Sequence, residues 1–326
     1  MFATVFIPTG NRANSLKRVL ESLTKQTYKD FEVVIVDYQS TDKTPYVIDS
    51  FNKKLKIRCI DQEAKGLAKA ANLALKTART EIFIRTDDDV VMSPGWMAAL
   101  HKTFTSDKKV GGVTGPTIIP KSARKNRDLF VTEERFRNGP PHWRLIGRLY
   151  RDFFTEGQSH RVSHWFDSGA FSLGTNFDEA LNEPLQEVTN LEACNMAVRT
   201  NLLKKIGGFD EAYGGVGDYH EPDAAFKIKN LGYKLIFNPK VFLNHLPSQD
   251  GMYHERPASF SRMENFVLFY LRHIKPNSFR KIIRFLLYTG FLNCYYIYTA
   301  VQLRQPKQLG ALPGSVAGII KYIATT

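Results

Sequence analysis

Ile82-Phe83-Ile84-Arg85-Thr86-Asp87-Asp88-Asp89 is the stretch on which the fold turns. An apolar run too short for a helix ends in three consecutive carboxylates. Open α/β sheets bind ligands outside the carboxyl ends of their strands, so Ile82 to Ile84 reads as a short strand that delivers the acids to that edge. Three adjacent carboxylates repel one another unless a cation sits among them, and a hard divalent ion with oxygen ligands fits that need. The plainer alternative is a solvated acidic turn or a helix cap, which Ser93-Pro94 downstream would suit.

Working back from the aspartates, apolar runs alternate with helical periodicity, the pattern of strands joined by crossover helices. Ala3 to Ile7 opens as a strand, and Leu16, Val19, Leu20 and Leu23 follow at the spacing of a helix laid on a sheet. Phe31 to Val36 is a continuous apolar strand of the kind covered on both faces. Ser40-Thr41-Asp42 marks a helix start, Val47, Ile48 and Phe51 face inward, and Lys56 to Ile60 makes a third strand. An alanine-rich helix over Leu67 to Thr77 leads back to the quoted strand. Working forward, regularity fades from Pro116 to about Asn190, where a basic stretch (Lys121, Arg124, Lys125, Arg127), Gly139-Pro140-Pro141, Trp143, Tyr150 and Trp165 predict long loops and short elements over the site. Regularity returns with a strand from Ala193 to Arg199, a short helix near Leu202 to Ile206, a helix from about Pro222 to Leu231 and a strand from Lys234 to Phe237. No internal repeat is visible.

The 326 residues, 43% hydrophobic, suffice for one large core and an appendage. Cys59, Cys194 and Cys294 are far apart and without paired metal spacing, so they read as structural thiols in a reducing compartment. The opening apolar run is too short for a signal peptide and meets Pro8 at once, so it reads as the first strand. Charge is uneven. From Ala258 onward nine lysines and arginines face one acid, Glu264, giving +8 of the chain's +13. A nucleic-acid-binding reading of that charge leaves the acids unexplained and puts the charge on an apolar tail, so no nucleic-acid partner is expected.

Four short motifs fall in order: Pro8-Thr9-Gly10-Asn11-Arg12, Val36-Asp37-Tyr38-Gln39-Ser40-Thr41-Asp42, Gly66 to Asn72, and the aspartate run. Together they resemble the family 2 glycosyltransferases of the GT-A fold, whose motifs are Pro-Thr-x-Asn-Arg, Val-Asp-Asp-Gly-Ser-Thr-Asp, Gly-x-x-x-Ala-Arg-Asn and Asp-x-Asp. The chain departs from them at Tyr38-Gln39, Gly10 and Ala71. The resemblance implies a GT-A mixed sheet flanked by helices, Rossmann-like, with a C-terminal helical extension. It implies that Asp37 accepts a hydrogen bond from the nucleotide base, with Thr9 and Arg12 lining that pocket. Pro8, Lys65, Asp87 and Asp88 complete the donor-binding set. Asp87 and Asp89 match the outer members of the metal motif, with Asp89 the direct ligand, for Mn²⁺ or Mg²⁺.

Ala193-Cys194-Asn195-Met196-Ala197-Val198-Arg199 and Gly207-Gly208-Phe209-Asp210-Glu211 extend the resemblance. Counting back from Leu231-Gly232-Tyr233 aligns His220-Glu221-Pro222-Asp223 with the family's Glu-Asp-x-Asp. Inverting transfer needs a carboxylate beside the acceptor hydroxyl; Glu221 is the aligned candidate, and Asp223 and Asp218 are the nearby competitors. The same cluster would also serve as a helix cap, with Pro222 at the first helical position. His245, in Leu243-Asn244-His245-Leu246, matches a histidine that completes the metal or diphosphate site in relatives; a purely structural histidine is the alternative.

Phe285 to Leu303 is uncharged, aromatic-rich and flanked by Arg284 and Arg304. Its length is marginal against the roughly 20 residues that span a bilayer, and its aromatic, polar and basic setting predicts a helix lying at an anionic membrane surface. A helix buried against Phe266 to Leu271 and a spanning helix are the alternatives. The domain expectation is a GT-A domain over 1–250, divided into a nucleotide-binding half (1–115) and an acceptor and catalytic half (116–250), followed by a basic helical extension over 251–326. The expected activity is metal-dependent, inverting transfer of one sugar from a nucleoside-diphosphate sugar to a hydroxyl of a glycan or lipid-linked acceptor. A UDP-sugar is favoured as donor, with GDP- and dTDP-sugars as alternatives. The expected place is the cytoplasm, peripheral on the inner face of the cell membrane. Rival readings are an inactive scaffold of the same fold and a processive polysaccharide synthase, although the Gln-x-x-Arg-Trp signature of such synthases is absent.

Overall fold

The computed structural model describes residues 1–124, 128–215, 218–247, 259–302 and 304–325. Its centre is an eight-stranded mixed sheet in the order β3-β2-β1-β4-β9-β6-β10-β8. These strands are β1 (Ala3–Thr9), β2 (Phe31–Asp37), β3 (Ile57–Asp61), β4 (Ile82–Thr86), β6 (Val110–Thr114), β8 (Gln186–Glu187), β9 (Asn195–Arg199) and β10 (Lys234–Phe237). The first four are parallel, and β9 runs antiparallel between β4 and β6. Helices α1 (Ala13–Thr24), α2 (Thr44–Phe51), α3 (Leu67–Thr77) and α4 (Trp96–Ser106) connect and cover this half. The chain steps outward from β1 to β3 and returns through α3 to β4 on the other side of β1. This reversal opens a crevice at the carboxyl ends of β1 and β4, the usual ligand position in such sheets.

The predicted strands and helices of the first hundred residues are present with shifted ends. The second helix begins at Thr44, two residues past Asp42, because the Asp42 carboxylate accepts from the Thr44 amide at 2.9 Å and caps it from outside. The helix predicted from Pro222 begins at His220 as α9 (His220–Asn230), directly after Tyr219 in the left-handed region at φ 83°. The short helix at Thr200–Lys205 is α8. Asn72, from the third motif, ties α3 to the turn after α8: its Oδ1 accepts from the Phe209 amide at 2.9 Å and its Nδ2 donates to the Phe209 carbonyl at 2.8 Å. A Cβ on Gly208, at φ 81°, would lie 2.6 Å from that Oδ1, so the turn requires glycine.

The stretch from Pro116 to Asn190 corrects the expectation of loops. It holds α5 (Lys121–Arg124), α6 (Asp128–Asn138) and α7 (Pro141–Leu149), continued by a π turn over Tyr150–Phe154. Gly139 and Pro140 separate α6 from α7, and Pro141 occupies the first turn of α7, where its missing N–H costs nothing. The cysteines also differ from expectation: all are free, yet only Cys194 is buried, while Cys59 and Cys294 are exposed.

The tail forms α10 (Ser259–Phe269), α11 (Phe279–Gln302) and α12 (Ala311–Thr325). The expected boundary at 250 lies outside the described residues. One face of α11 packs on the protein, with Phe285 stacked on Tyr270 at 3.9 Å between ring centroids. α10 is held to the loop before α9, where Asn265 Nδ2 donates to the Gly214 carbonyl at 2.9 Å and Arg262 Nε pairs with Asp218 at 2.7 Å. Among the described residues no helix is long and apolar enough to cross a membrane.

Candidate functional site

A second, three-stranded sheet makes the site. It pairs β5 (Val90–Met92) with β11 (Leu243–His245), and β11 in turn with β7 (Thr117–Ile118). β5 starts immediately after the aspartates, and the antiparallel register sets His245 opposite Val90. The Leu246 amide then donates to the Asp89 carbonyl at 2.7 Å. This pairing brings His245, far along the sequence, to within 3.2 Å, from Nε2, of Asp89 Oδ1. Asp87, Asp89 and His245 each offer a ligand atom, all within 4.8 Å of one another. Two carboxylates and an imidazole make a donor set that could hold a divalent metal ion.

The middle aspartate is used differently. Asp88 is buried, accepts from Thr9 Oγ1 at 2.8 Å, and pairs with Arg12 at 2.8 Å. The other guanidinium nitrogen of Arg12 reaches Asp89 Oδ2 at 2.9 Å. Thr9 and Arg12, placed by resemblance in the base pocket, are thus directed to the aspartate run. Burial pushes the Asp88 carboxyl up to about 7, against the lowering pull of Arg12. For Asp89 burial acts the same way, but His245 and Arg12 outweigh it and hold the carboxyl well below the usual carboxylate range.

Asp37 ends β2 one strand away, buried, and accepts from Ser40 Oγ at 2.5 Å. Pro8, next to Thr9 on β1, is partly exposed, and Lys65 is exposed just ahead of α3. The carboxyl ends of β1, β2 and β4 therefore gather most of the predicted donor-binding residues along one edge.

Arg85 was not singled out from the sequence, and it connects the two acidic clusters. It is buried in β4, with its Nη1 2.6 Å from Asp87 Oδ1 and its Nη2 3.2 Å from Glu221 Oε1. A charged residue inside an apolar strand is stable only with partners, and that signal was present in Ile84-Arg85-Thr86. Glu221, 4% exposed at the start of α9, also lies 3.1 Å from His220 Nε2. Its two competitors are otherwise engaged. Asp223 is fully buried, with His273 Nε2 at 2.7 Å and Lys227 Nζ at 2.7 Å. Asp218 pairs with Arg262.

Glu192, in the loop before β9, was also missed. It accepts from Ser163 Oγ at 3.0 Å, and burial pushes its carboxyl up to about 7 against the lowering hydrogen bonds of Ser163 and Thr175. An unfolded glutamate titrates near 4.5, so the fold carries the cost of this half-buried charge above neutral pH and is free of it below the unfolded value. Glu192→Gln should therefore raise stability by ~1–2 kcal/mol at about pH 8, with the gain shrinking toward zero by about pH 5, as read by urea denaturation at each pH. A gain independent of pH would show that the carboxyl is solvated.

The chain is similar to several known glycosyltransferases. A glucosyl-dolichyl phosphate glucuronosyltransferase of Haloferax volcanii is 23% identical over 72% of this chain and 65% of its own length. A validoxylamine A glucosyltransferase of Streptomyces hygroscopicus subsp. jinggangensis is 37% identical over 66% of this chain and 48% of its own length. The chain thus spans less than two thirds of either relative. Among solved structures, the mannosyltransferase PcManGT of Pyrobaculum calidifontis, in complex with GDP-Man and Mn²⁺, is similar with a TM-score of 0.55 at 18% identity, over 99% of this chain and 87% of its own. Residues 1–349 of S. aureus TarS with UDP-GlcNAc are similar with a TM-score of 0.59 at 19% identity, over 98% of this chain and 81% of its own. These likenesses show the GT-A fold. The profile of glycosyl transferase family 2 matches residues 4–207, well over half of the 326, and the chain belongs to that family of glycosyltransferases.

Proposed function

We propose that the protein transfers one sugar, with inversion, from a nucleoside-diphosphate sugar to a hydroxyl of a glycan or lipid-linked acceptor. The observation that carries this reading is the convergence of Asp87, Asp89 and His245 at the crevice where β1, β2 and β4 end. These three residues would hold Mn²⁺ or Mg²⁺, which when bound neutralises the donor diphosphate as it leaves. Asp37 receives the base, with a uridine nucleotide favoured and guanosine or thymidine nucleotides as alternatives. Arg12 steadies Asp88 and Asp89, and so orients the carboxylate that does the ligating. Glu221 takes the proton of the acceptor hydroxyl as the oxygen attacks the anomeric carbon. Its link through Arg85 to Asp87 sets this base beside the diphosphate site. Asp223, locked by His273 and Lys227, anchors α9 under it.

The test is a thermal-shift screen against UDP, GDP, dTDP and CDP, each with Mn²⁺, Mg²⁺ or chelator. One nucleotide, at saturating concentration, should raise the melting temperature by on the order of 5 °C. The shift should vanish with chelator and in Asp89→Ala. If no nucleotide shifts the transition, the inactive-scaffold reading, which the departures at Tyr38 and Ala71 favour, replaces this one.

A further inference from the structure

We propose that the outer faces of α7, α11 and α12 form a docking surface for an anionic lipid bilayer. On α11, Phe279, Ile283, Leu286, Leu287 and Val301 are exposed, and their spacing puts them on one side of the helix. The opposite side is committed to the protein: Phe285 meets Tyr270, and Tyr288 meets Phe266 at 5.7 Å. α12 repeats the arrangement. Val316, Ile319, Ile320 and Ile323 are exposed, while Gly314 and Gly318 lie so close to α10 that a Cβ would meet the carbonyls of Phe260 and Glu264 at 2.3 and 2.6 Å. Each helix is therefore anchored by its inner face, while its outer apolar face is left open.

The three helices adjoin. Trp143 on α7 packs against Tyr298 on α11 at 5.5 Å, Tyr150 packs against Phe291 at 5.7 Å, and Asn293 Nδ2 donates to Ser315 Oγ at 3.1 Å across α11 and α12. Soluble monomers rarely leave apolar surface of this continuity without a partner.

Charge decides which partner. No aspartate or glutamate occurs in α7, α11 or α12. Arg144 and Arg148 alternate with exposed Leu145 and Leu149 on α7, Arg280 follows Phe279, and Arg304 and Lys307 lie in the turn between α11 and α12. All five of these cations are exposed, and among the described residues none makes an ion pair. A second copy meeting this face about a two-fold axis would bring like charges together. Anionic headgroups above an acyl layer satisfy both features at once, with the helices lying in the interface. The surface goes beyond the transfer reaction and does not depend on which sugar is moved.

The experiment is flotation of the purified full chain with phosphatidylcholine vesicles, with and without phosphatidylglycerol, at low and high salt. The chain should float with the anionic vesicles only, and high salt should release it. The variant R144A/R148A/R280A should weaken that partition on the order of 100-fold, at about fivefold for each cation removed near the surface. L286E/L287E should abolish it, and both variants should retain the wild-type melting temperature and nucleotide response. Three results would overturn the proposal: no flotation with anionic vesicles, flotation undiminished in the triple variant, or a dimer in light scattering that L286E/L287E dissociates while vesicles are ignored.

Discussion

Glu221→Gln should lower the turnover of sugar transfer on the order of 10³-fold while leaving nucleotide affinity within about threefold of wild type, because a general base acts on the acceptor proton and not on the donor. Glutamine keeps the length of the side chain and can still accept a hydrogen bond from Arg85, so the start of α9 is preserved. Asp223→Asn is the informative contrast. It removes the charge that His273 and Lys227 both face in a fully buried setting, so its main effect should be on stability, by about 2 kcal/mol or more in urea denaturation. Single-turnover rates with saturating donor distinguish the two. If Glu221→Gln turns over normally and Asp218→Asn does not, the base is Asp218, and the Arg262 pair must open during catalysis.

Much of this site was legible because its parts lie at strand ends. Thr9, Asp37 and Asp87 to Asp89 each follow an apolar strand whose pattern is plain, and parallel pairing of β1 with β2 and β4 brings those ends together. His245 was found by resemblance alone. Nothing local predicts that a three-residue strand will pair with β5, since such pairing is settled by tertiary contacts. The partnerships of Arg85, Glu192 and His273 were out of reach for a related reason: a buried charge announces that it needs a partner but not which one. The segment 116–190 misled in the opposite direction. α6 places charges around its circumference, as in Glu133, Glu134, Arg135 and Arg137, so no apolar stripe marks it as a helix. In the tail, composition pointed to amphipathic character, and the structure divides it between an inner face against α10 and an outer face left open.

Arg85→Leu should cost about 3–5 kcal/mol of stability, the largest loss expected from a single substitution near the site. The leucine fills part of the same volume in β4, so the loss comes mainly from the carboxylates left behind. Glu221, 5% exposed at its side chain, loses its guanidinium partner, and Asp87, 27% exposed, loses a 2.6 Å contact. The second loss is the smaller, because water can reach Asp87. Arg85→Lys should fall between wild type and leucine, since an ammonium keeps the charge but cannot serve two carboxylates with one planar fork. The double variant R85L/E221Q tests the assignment: neutralising the stranded glutamate should return at least ~1 kcal/mol in urea denaturation. Strict additivity of the two substitutions would mean that Arg85 and Glu221 do not interact. The donor-side and acceptor-side carboxylates would then be held in place independently, and Arg85 would serve Asp87 alone.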